Sequence, residues 1–60
     1  MSQAFAPGDR VKHPQFGEGI VVNSLRRGAD EEVIIAFAGT AGIKRLMASF
    51  AGLERVARPE

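Results

Sequence analysis

Two glycines, Gly17 and Gly19, bracket one charged residue directly before a β-branched run at 20–22. Glycine accepts backbone angles that other residues resist, and β-branched residues favour strands. The arrangement therefore predicts a sharp turn that leads into a strand and places the preceding aromatic residue, Phe16, at the corner. A corner of this kind constrains the chain toward β structure.

Similar turns divide the rest of the chain into short segments. Residues 27–30 are predicted to form a hairpin turn, and residues 39–42, which hold two glycines, turn the chain again. Five strands are predicted, over 10–13, 19–26, 31–38, 43–47 and 53–56. Residues 48–51 are predicted to form about one helical turn, closed by Gly52 as a C-terminal cap. Short strands separated by glycine turns predict an all-β domain, a small antiparallel barrel in which closure removes exposed edges.

The third predicted strand has the clearest alternation. Val33, Ile35 and Phe37 share one face, whereas Ile34 and Ala36 occupy the other. Because both faces are largely apolar, we expect a central strand that is packed on both sides. The fourth strand alternates less clearly, and its inner face stays open.

Length and composition limit the domain organisation and the classes of site. Sixty residues allow one small domain of marginal stability, which we place at 8–56, between a flexible leader over 1–7 and a frayed tail over 57–60. With no cysteine and one histidine, disulfides and zinc sites are not expected. The sequence shows neither a signal-peptide pattern nor an apolar run of membrane-spanning length, so we expect a cytoplasmic, monomeric domain without a membrane partner. The net charge of +1 is too small to indicate nucleic-acid binding by itself.

The sequence lacks the motifs of catalysis and cofactor binding. Gly17 and Gly19 lack the third glycine of a dinucleotide fingerprint and precede a strand instead of a helix, and no Walker pattern is present. His13 needs a nucleophile beside it to act as a general base, and nothing places Ser24 or Ser49 there. A histidine before a turn proline is far more often a surface or edge residue than a catalyst. The sequence therefore predicts no enzyme activity, no cofactor and no metal site.

Two surface segments remain as candidate contacts. Phe16 follows a basic segment and could stack on a base or fill a partner's pocket, or it could close one end of the barrel. Lys44 and Arg45 adjoin Leu46 and could anchor a partner's carboxylate, or they could form a solvated edge. Secondary candidates for nucleic-acid contact are the basic and aromatic residues Arg10, Lys12, Phe16, Arg26 and Arg27.

Four blocks of the chain occur in an order and at spacings that match a known family. They are GDRVKH at 8–13, FGEGIVV at 16–22, VIIAF at 33–37 and GIKRLMASFAGLERV at 42–56. Any one block is weak evidence, but together they span 8–56. In this combination they closely resemble the extreme C-terminal Tudor-like domain of UvrD/PcrA DNA helicases.

The resemblance implies a fold and a function. Such domains are five-stranded SH3-like barrels, tethered by a flexible linker to an ATP-driven 3′-to-5′ motor. They are implicated in docking the helicase onto RNA polymerase, in transcription-coupled repair and in R-loop removal, and are similar to the polymerase-interacting domains of the CarD and transcription-repair coupling factor families. Lys44 matches the lysine associated with polymerase contact, and Arg45 and Leu46 adjoin it. We therefore expect a bacterial, nucleoid-associated interaction module whose partner is RNA polymerase, at its β subunit.

Two other functions stay open at this stage. The secondary contact residues could bind DNA directly, in which case affinity would fall steeply with salt. The domain could instead pack on its own motor and regulate it. The motor's ATP site and helicase motifs are absent from the 60 residues, so we expect either an excised domain or a free-standing relative.

Overall fold

The computed structural model describes residues 5–56. Its strands are β1 (Arg10–His13), β2 (Gly17–Arg27), β3 (Asp30–Phe37), β4 (Gly42–Met47) and β5 (Glu54–Arg55). A 3₁₀ turn (Gly39–Ala41) precedes β4, and one short helix, α1 (Ala48–Ala51), follows it. Neighbouring strands are antiparallel throughout, in the order β4-β3-β2-β1-β5. The predicted all-β fold, with five antiparallel strands and one short helical turn, is confirmed.

One apolar cluster holds the sheet together. It consists of buried side chains from β1, β2 and β3, namely Val11, Val21, Val33, Ile35 and Phe37. Leu46 of β4 and Leu53, directly before β5, pack against the same cluster. Because β4 and β5 are the two ends of the strand order, the sheet has to curl around this core, as the strands of a small barrel do.

The alternation of β3 was predicted correctly on its core side. Val33 and Ile35 are completely buried, and Phe37 is nearly so. The strand is also central, since it pairs with β2 on one side and β4 on the other. Its second face was expected to be packed as well, but Ile34 and Ala36 are only half-buried. An apolar outer face is therefore left partly open to solvent.

The register of β4 settles which of its faces points to the core. Lys44 lies opposite Ile35, and Leu46 lies opposite Val33, so both occupy core-side positions. Ile43 stands on the other face and is 71% exposed. Alternation alone could not show this, because the core-side row contains a lysine and the outer row an isoleucine.

The first corner of the chain differs from the prediction. The turn comprises residues 14–16, and β2 already begins at Gly17. Glu18 and Gly19 are paired with Lys12 and Val11 of β1, so they belong to the ladder and not to the turn. The glycine-bracketed pattern was therefore assigned the wrong role.

Gly19 is needed for close packing. A Cβ atom at this position would lie 2.6 Å from Cγ2 of Ile35 and 2.8 Å from Cδ1 of Phe37. Real side chains do not approach so closely, and both neighbours belong to the core. The two glycines thus serve different purposes, because Gly17 has a positive φ of 84° at the end of the turn whereas Gly19 makes room for β3.

The other element boundaries shift by one or two residues. The hairpin turn narrows to Gly28 and Ala29, since Arg27 already pairs with Asp30. A register shift between Val21 and Asn23 marks a β-bulge in β2. The predicted cap of α1 is confirmed, because Gly52 adopts the left-handed conformation with φ 66°.

The segment before β1 is in contact with the barrel where the structure describes it. Phe5 was placed in the flexible leader, yet it packs against the core cluster, and the guanidinium carbon of Arg55 lies 5.3 Å from the centre of its ring. The predicted boundaries, a leader over 1–7 and a tail over 57–60, stay a prediction, because 1–4 and 57–60 lie outside the described residues. Within residues 5–56, no helix is long and apolar enough to cross a membrane.

Candidate functional site

Three rings gather at one end of the core, where β1 turns into β2. His13 and Phe16 are stacked, with ring centres 4.5 Å apart and an angle of 24° between the planes. Phe37 of β3 meets His13 edge-on, with ring centres 5.9 Å apart. It is tilted by 55° against Phe16, with ring centres 5.4 Å apart. We call His13, Phe16 and Phe37 the ring cluster. The ring cluster joins the turn to the core, since Phe37 belongs to both the ring cluster and the apolar core.

His13 organises the turn that carries Phe16. Its Nδ1 accepts hydrogen bonds from the backbone N–H groups of Gln15, at 3.0 Å, and Phe16, at 3.2 Å. A backbone N–H can only donate, so we assign Nδ1 as unprotonated and the ring proton to Nε2. His13 is also only 8% exposed, so its assignment as a surface or edge residue was wrong. Its role in the structure is to cap the turn.

Lys44 lies against this ring cluster. Its Nζ is 5.2 Å from the centre of the Phe16 ring, within the range of a cation–π interaction. The lysine starts from a core-side position of β4 and is half-buried as a residue, and its ammonium lies beside the ring of Phe16. One cation is therefore held at a defined place beside an aromatic surface.

The other two predicted partner residues do not join Lys44 in one surface. Arg45 is on the outer face, where its Nε bonds Oε2 of Glu32 at 2.8 Å. Arg27 bonds the other oxygen of the same carboxylate at 2.7 Å, so Glu32 links β2, β3 and β4. Leu46 packs against the core. Of the predicted trio, only Lys44 brings a charged group to the end of the barrel that holds the ring cluster.

The predicted nucleic-acid contacts are scattered over the domain. Lys12 is flanked across the ladder by Glu18 and Glu54, which offset its charge. Arg10 lies further along β1, opposite Ile20. The two arginines of the β2–β3 hairpin lie at the other end of β2 from the turn that carries Phe16, and one of them is engaged by Glu32. These five residues do not line up into a basic stripe of the kind that follows a phosphate backbone.

Buried carboxylates are the main feature that the sequence reading missed. Asp9 accepts a hydrogen bond from Arg55 at 3.0 Å and so ties the start of β1 to β5. Glu31, on the core side of β3, accepts bonds from the hydroxyl of Ser24 and, at 3.1 Å, from the backbone N–H of Phe5. Local patterns could not reveal them, because an acidic residue is usually exposed and these partners are up to 46 positions away.

Asp30 anchors the short helix to the hairpin. Its carboxylate accepts hydrogen bonds from the hydroxyl of Ser49 at 2.5 Å and from the backbone N–H of Ser49 at 3.2 Å. The Ser49 hydroxyl, followed by the backbone N–H of Glu31, lowers the pKa of Asp30 below its ordinary value, because both bonds favour the charged form. The role of Asp30 is thus to hold α1 in place.

Comparison with known proteins identifies the family to which this domain belongs. The family model of the PcrA/UvrD tudor domain matches residues 8–55, which include all five strands and α1. The chain belongs to the PcrA/UvrD tudor family. The earlier resemblance is thereby confirmed at the level of the domain.

The relatives that this member of the family resembles are much longer helicases. It is 47% identical over 49 residues to DNA helicase II of Escherichia coli and 41% identical over 51 residues to the ATP-dependent DNA helicase PcrA of Bacillus subtilis. A PcrA helicase of Leuconostoc citreum is 36% identical over 53 residues. These alignments cover 82%, 85% and 88% of the chain, but only 7% of each helicase.

Proposed function

We propose that this tudor domain is a protein-interaction module that docks a UvrD/PcrA-type helicase onto RNA polymerase, with Lys44 as its principal contact. The observation that carries the proposal is the placement of the Lys44 ammonium 5.2 Å from the Phe16 ring at the end of the barrel. A cation held there can meet a carboxylate of the partner. Membership of the tudor family supports the link to a helicase.

The distribution of charge favours a protein partner over DNA. Lys12 stands between two glutamates across the ladder, and Arg27 and Arg45 share one carboxylate. A duplex contact needs several cations that together follow the phosphates, and counterion release from them would dominate affinity. The described surface instead offers one positioned lysine. Direct binding of DNA and packing on the helicase motor are the two alternative functions, and experiments have to distinguish them from docking onto polymerase.

The test exchanges the sign of one charge. Lys44→Glu in the tagged domain is expected to weaken retention of purified bacterial RNA polymerase core enzyme by about tenfold or more, since it places like charges opposite each other. The matched control is Arg10→Glu, which makes the same charge change on β1, separated from β4 by two strands in the sheet order. It is expected to leave retention unchanged.

Three results would decide against the proposal. If Lys44→Glu retains polymerase as the unaltered domain does, while its thermal unfolding is also unaltered, Lys44 is not the contact. If Arg10→Glu instead removes binding to labelled DNA at low salt, and polymerase is not retained by any version, the domain is a DNA-binding module. Loss of binding in both variants would indicate a general electrostatic attraction and not a site.

A further inference from the structure

Phe16 is held more firmly than its position on a turn suggests. Its ring stacks on His13 at 4.5 Å and contacts the core residue Phe37 at 5.4 Å. Its own backbone N–H is bonded to Nδ1 of His13. Ring and backbone are therefore fixed by the same histidine, and the ring face that Lys44 approaches has a defined orientation.

Lys44 by itself has no such constraint. A lysine side chain has four rotatable bonds and a compact charge that is strongly hydrated, so it samples many positions when nothing holds it. In the described part of the chain, Phe16 is the residue whose ring the ammonium faces. The electron-rich face of an aromatic ring attracts a cation and narrows the positions that it occupies.

We propose that Phe16 is a positioning residue, which acts by holding the Lys44 ammonium where a partner's carboxylate can reach it. This inference rests on the proposed docking function and deepens it. It also changes the role of Phe16 from a candidate nucleic-acid contact to a part of the lysine site. The partner would then meet a cation that is already ordered, which reduces the entropy lost on binding.

The free domain provides a first test that does not involve polymerase. Protons that lie over an aromatic ring are shifted upfield, so the Cε protons of Lys44 are expected upfield of those of Lys12 in the NMR spectrum. Phe16→Leu should abolish this difference. Phe50→Leu is the matched control, because Phe50 is 88% exposed and the same change there should leave the Lys44 signals in place.

The second test varies the ring's charge distribution and not its shape. Replacing Phe16 with 4-fluoro-, 3,4,5-trifluoro- and pentafluorophenylalanine withdraws electron density stepwise from the ring face while the ring stays planar and nearly the same size. Affinity for RNA polymerase core enzyme should fall along this series, by about two- to fivefold in total for a partly exposed cation–π pair. A ring that only fills space would give the same affinity throughout.

The outcomes separate this inference from the function beneath it. If Lys44→Glu loses polymerase and the fluorinated series follows the expected order, Phe16 positions the lysine. If Lys44→Glu no longer retains polymerase but all the fluorinated variants bind polymerase with the same affinity, the docking function stands and the positioning role of Phe16 is overturned. If Lys44→Glu binds normally, both are overturned, whatever the NMR shifts show.

Discussion

Replacing His13 separates its two structural tasks, which are accepting two backbone hydrogen bonds and stacking on Phe16. His13→Phe keeps an aromatic ring for the stack but has no acceptor. His13→Asn keeps an acceptor, because the side-chain oxygen of asparagine stands two bonds from Cβ, as Nδ1 does, and asparagine commonly caps turns in this way. The pair therefore removes one task at a time.

The expected costs are similar in size. His13→Phe leaves the N–H groups of Gln15 and Phe16 without their acceptor, at about 0.5–1.5 kcal/mol for each bond, or about 1–3 kcal/mol together. His13→Asn loses two ring contacts, with Phe16 and Phe37, at about 0.5–1.5 kcal/mol each. In a domain of this size each kcal/mol lowers the midpoint of thermal unfolding by about 4–8 °C.

Hydrogen exchange distinguishes the variants where thermal unfolding cannot. In His13→Phe the amides of Gln15 and Phe16 should exchange faster than in the unaltered domain, whereas in His13→Asn they should stay protected. Amides in the centre of β3 serve as the internal reference for global opening. If Gln15 and Phe16 remain protected in His13→Phe, the histidine does not cap the turn and the reasoning is refuted.

Three further predictions concern packing and charge. Gly19→Ala should destabilise the domain by about 1–3 kcal/mol in denaturant unfolding, because its Cβ would collide with Ile35; an unchanged midpoint would contradict the close approach. The hydrogen bond from Ser49 lowers the pKa of Asp30 below 3.8, so the carboxylate contributes its full stabilisation above pH 3.8 and loses it as the pH falls through the lower folded-state pKa. Asp30→Asn should remove this loss of stability in acid. If the free energy of unfolding of the variant and of the unaltered domain changed in parallel from pH 7 to pH 2, the prediction would be wrong. Glu32→Gln should cost about 1–3 kcal/mol, because Arg27 and Arg45 use different oxygens of the carboxylate and the amide NH2 that replaces one oxygen cannot accept from a guanidinium. A Glu32→Gln domain that unfolds at the same urea concentration would show that the link contributes nothing.

Local patterns were sufficient for much of the fold. The alternation of Val33, Ile35 and Phe37 identified the core face of β3, because side chains in a strand alternate strictly between faces. Gly52 identified the end of α1, because a left-handed residue is the commonest way to end a helix. Both signals depend only on neighbouring residues, and a sequence contains them completely.

Features that depend on distant residues were mispredicted or missed. Gly17 and Gly19 look alike in sequence, yet only the structure shows that one ends a turn and the other makes room for β3. The inner face of β4 could not be assigned, because Lys44 occupies a core-side position and its ammonium lies against the ring of Phe16, 28 positions earlier. His13 is an exception, because its hydrogen-bond partners Gln15 and Phe16 are only two and three positions away. Its role was missed because those bonds depend on the geometry of the turn, which the proline after it does not specify.

The candidate site shares its residues with the core, and this sharing determines how it has to be tested. Phe37 is nearly buried in the barrel and at the same time contacts the rings of His13 and Phe16. Sixty residues cannot supply separate sets of side chains for stability and for recognition, so a change in the ring cluster will affect both. A fall in affinity therefore counts as evidence for the site only when binding is measured well below the unfolding midpoint of the least stable variant. Under that condition, Lys44→Glu should change binding far more than stability, because its ammonium lies at the end of the barrel, whereas His13→Asn should lower stability and reach binding only through the orientation of Phe16.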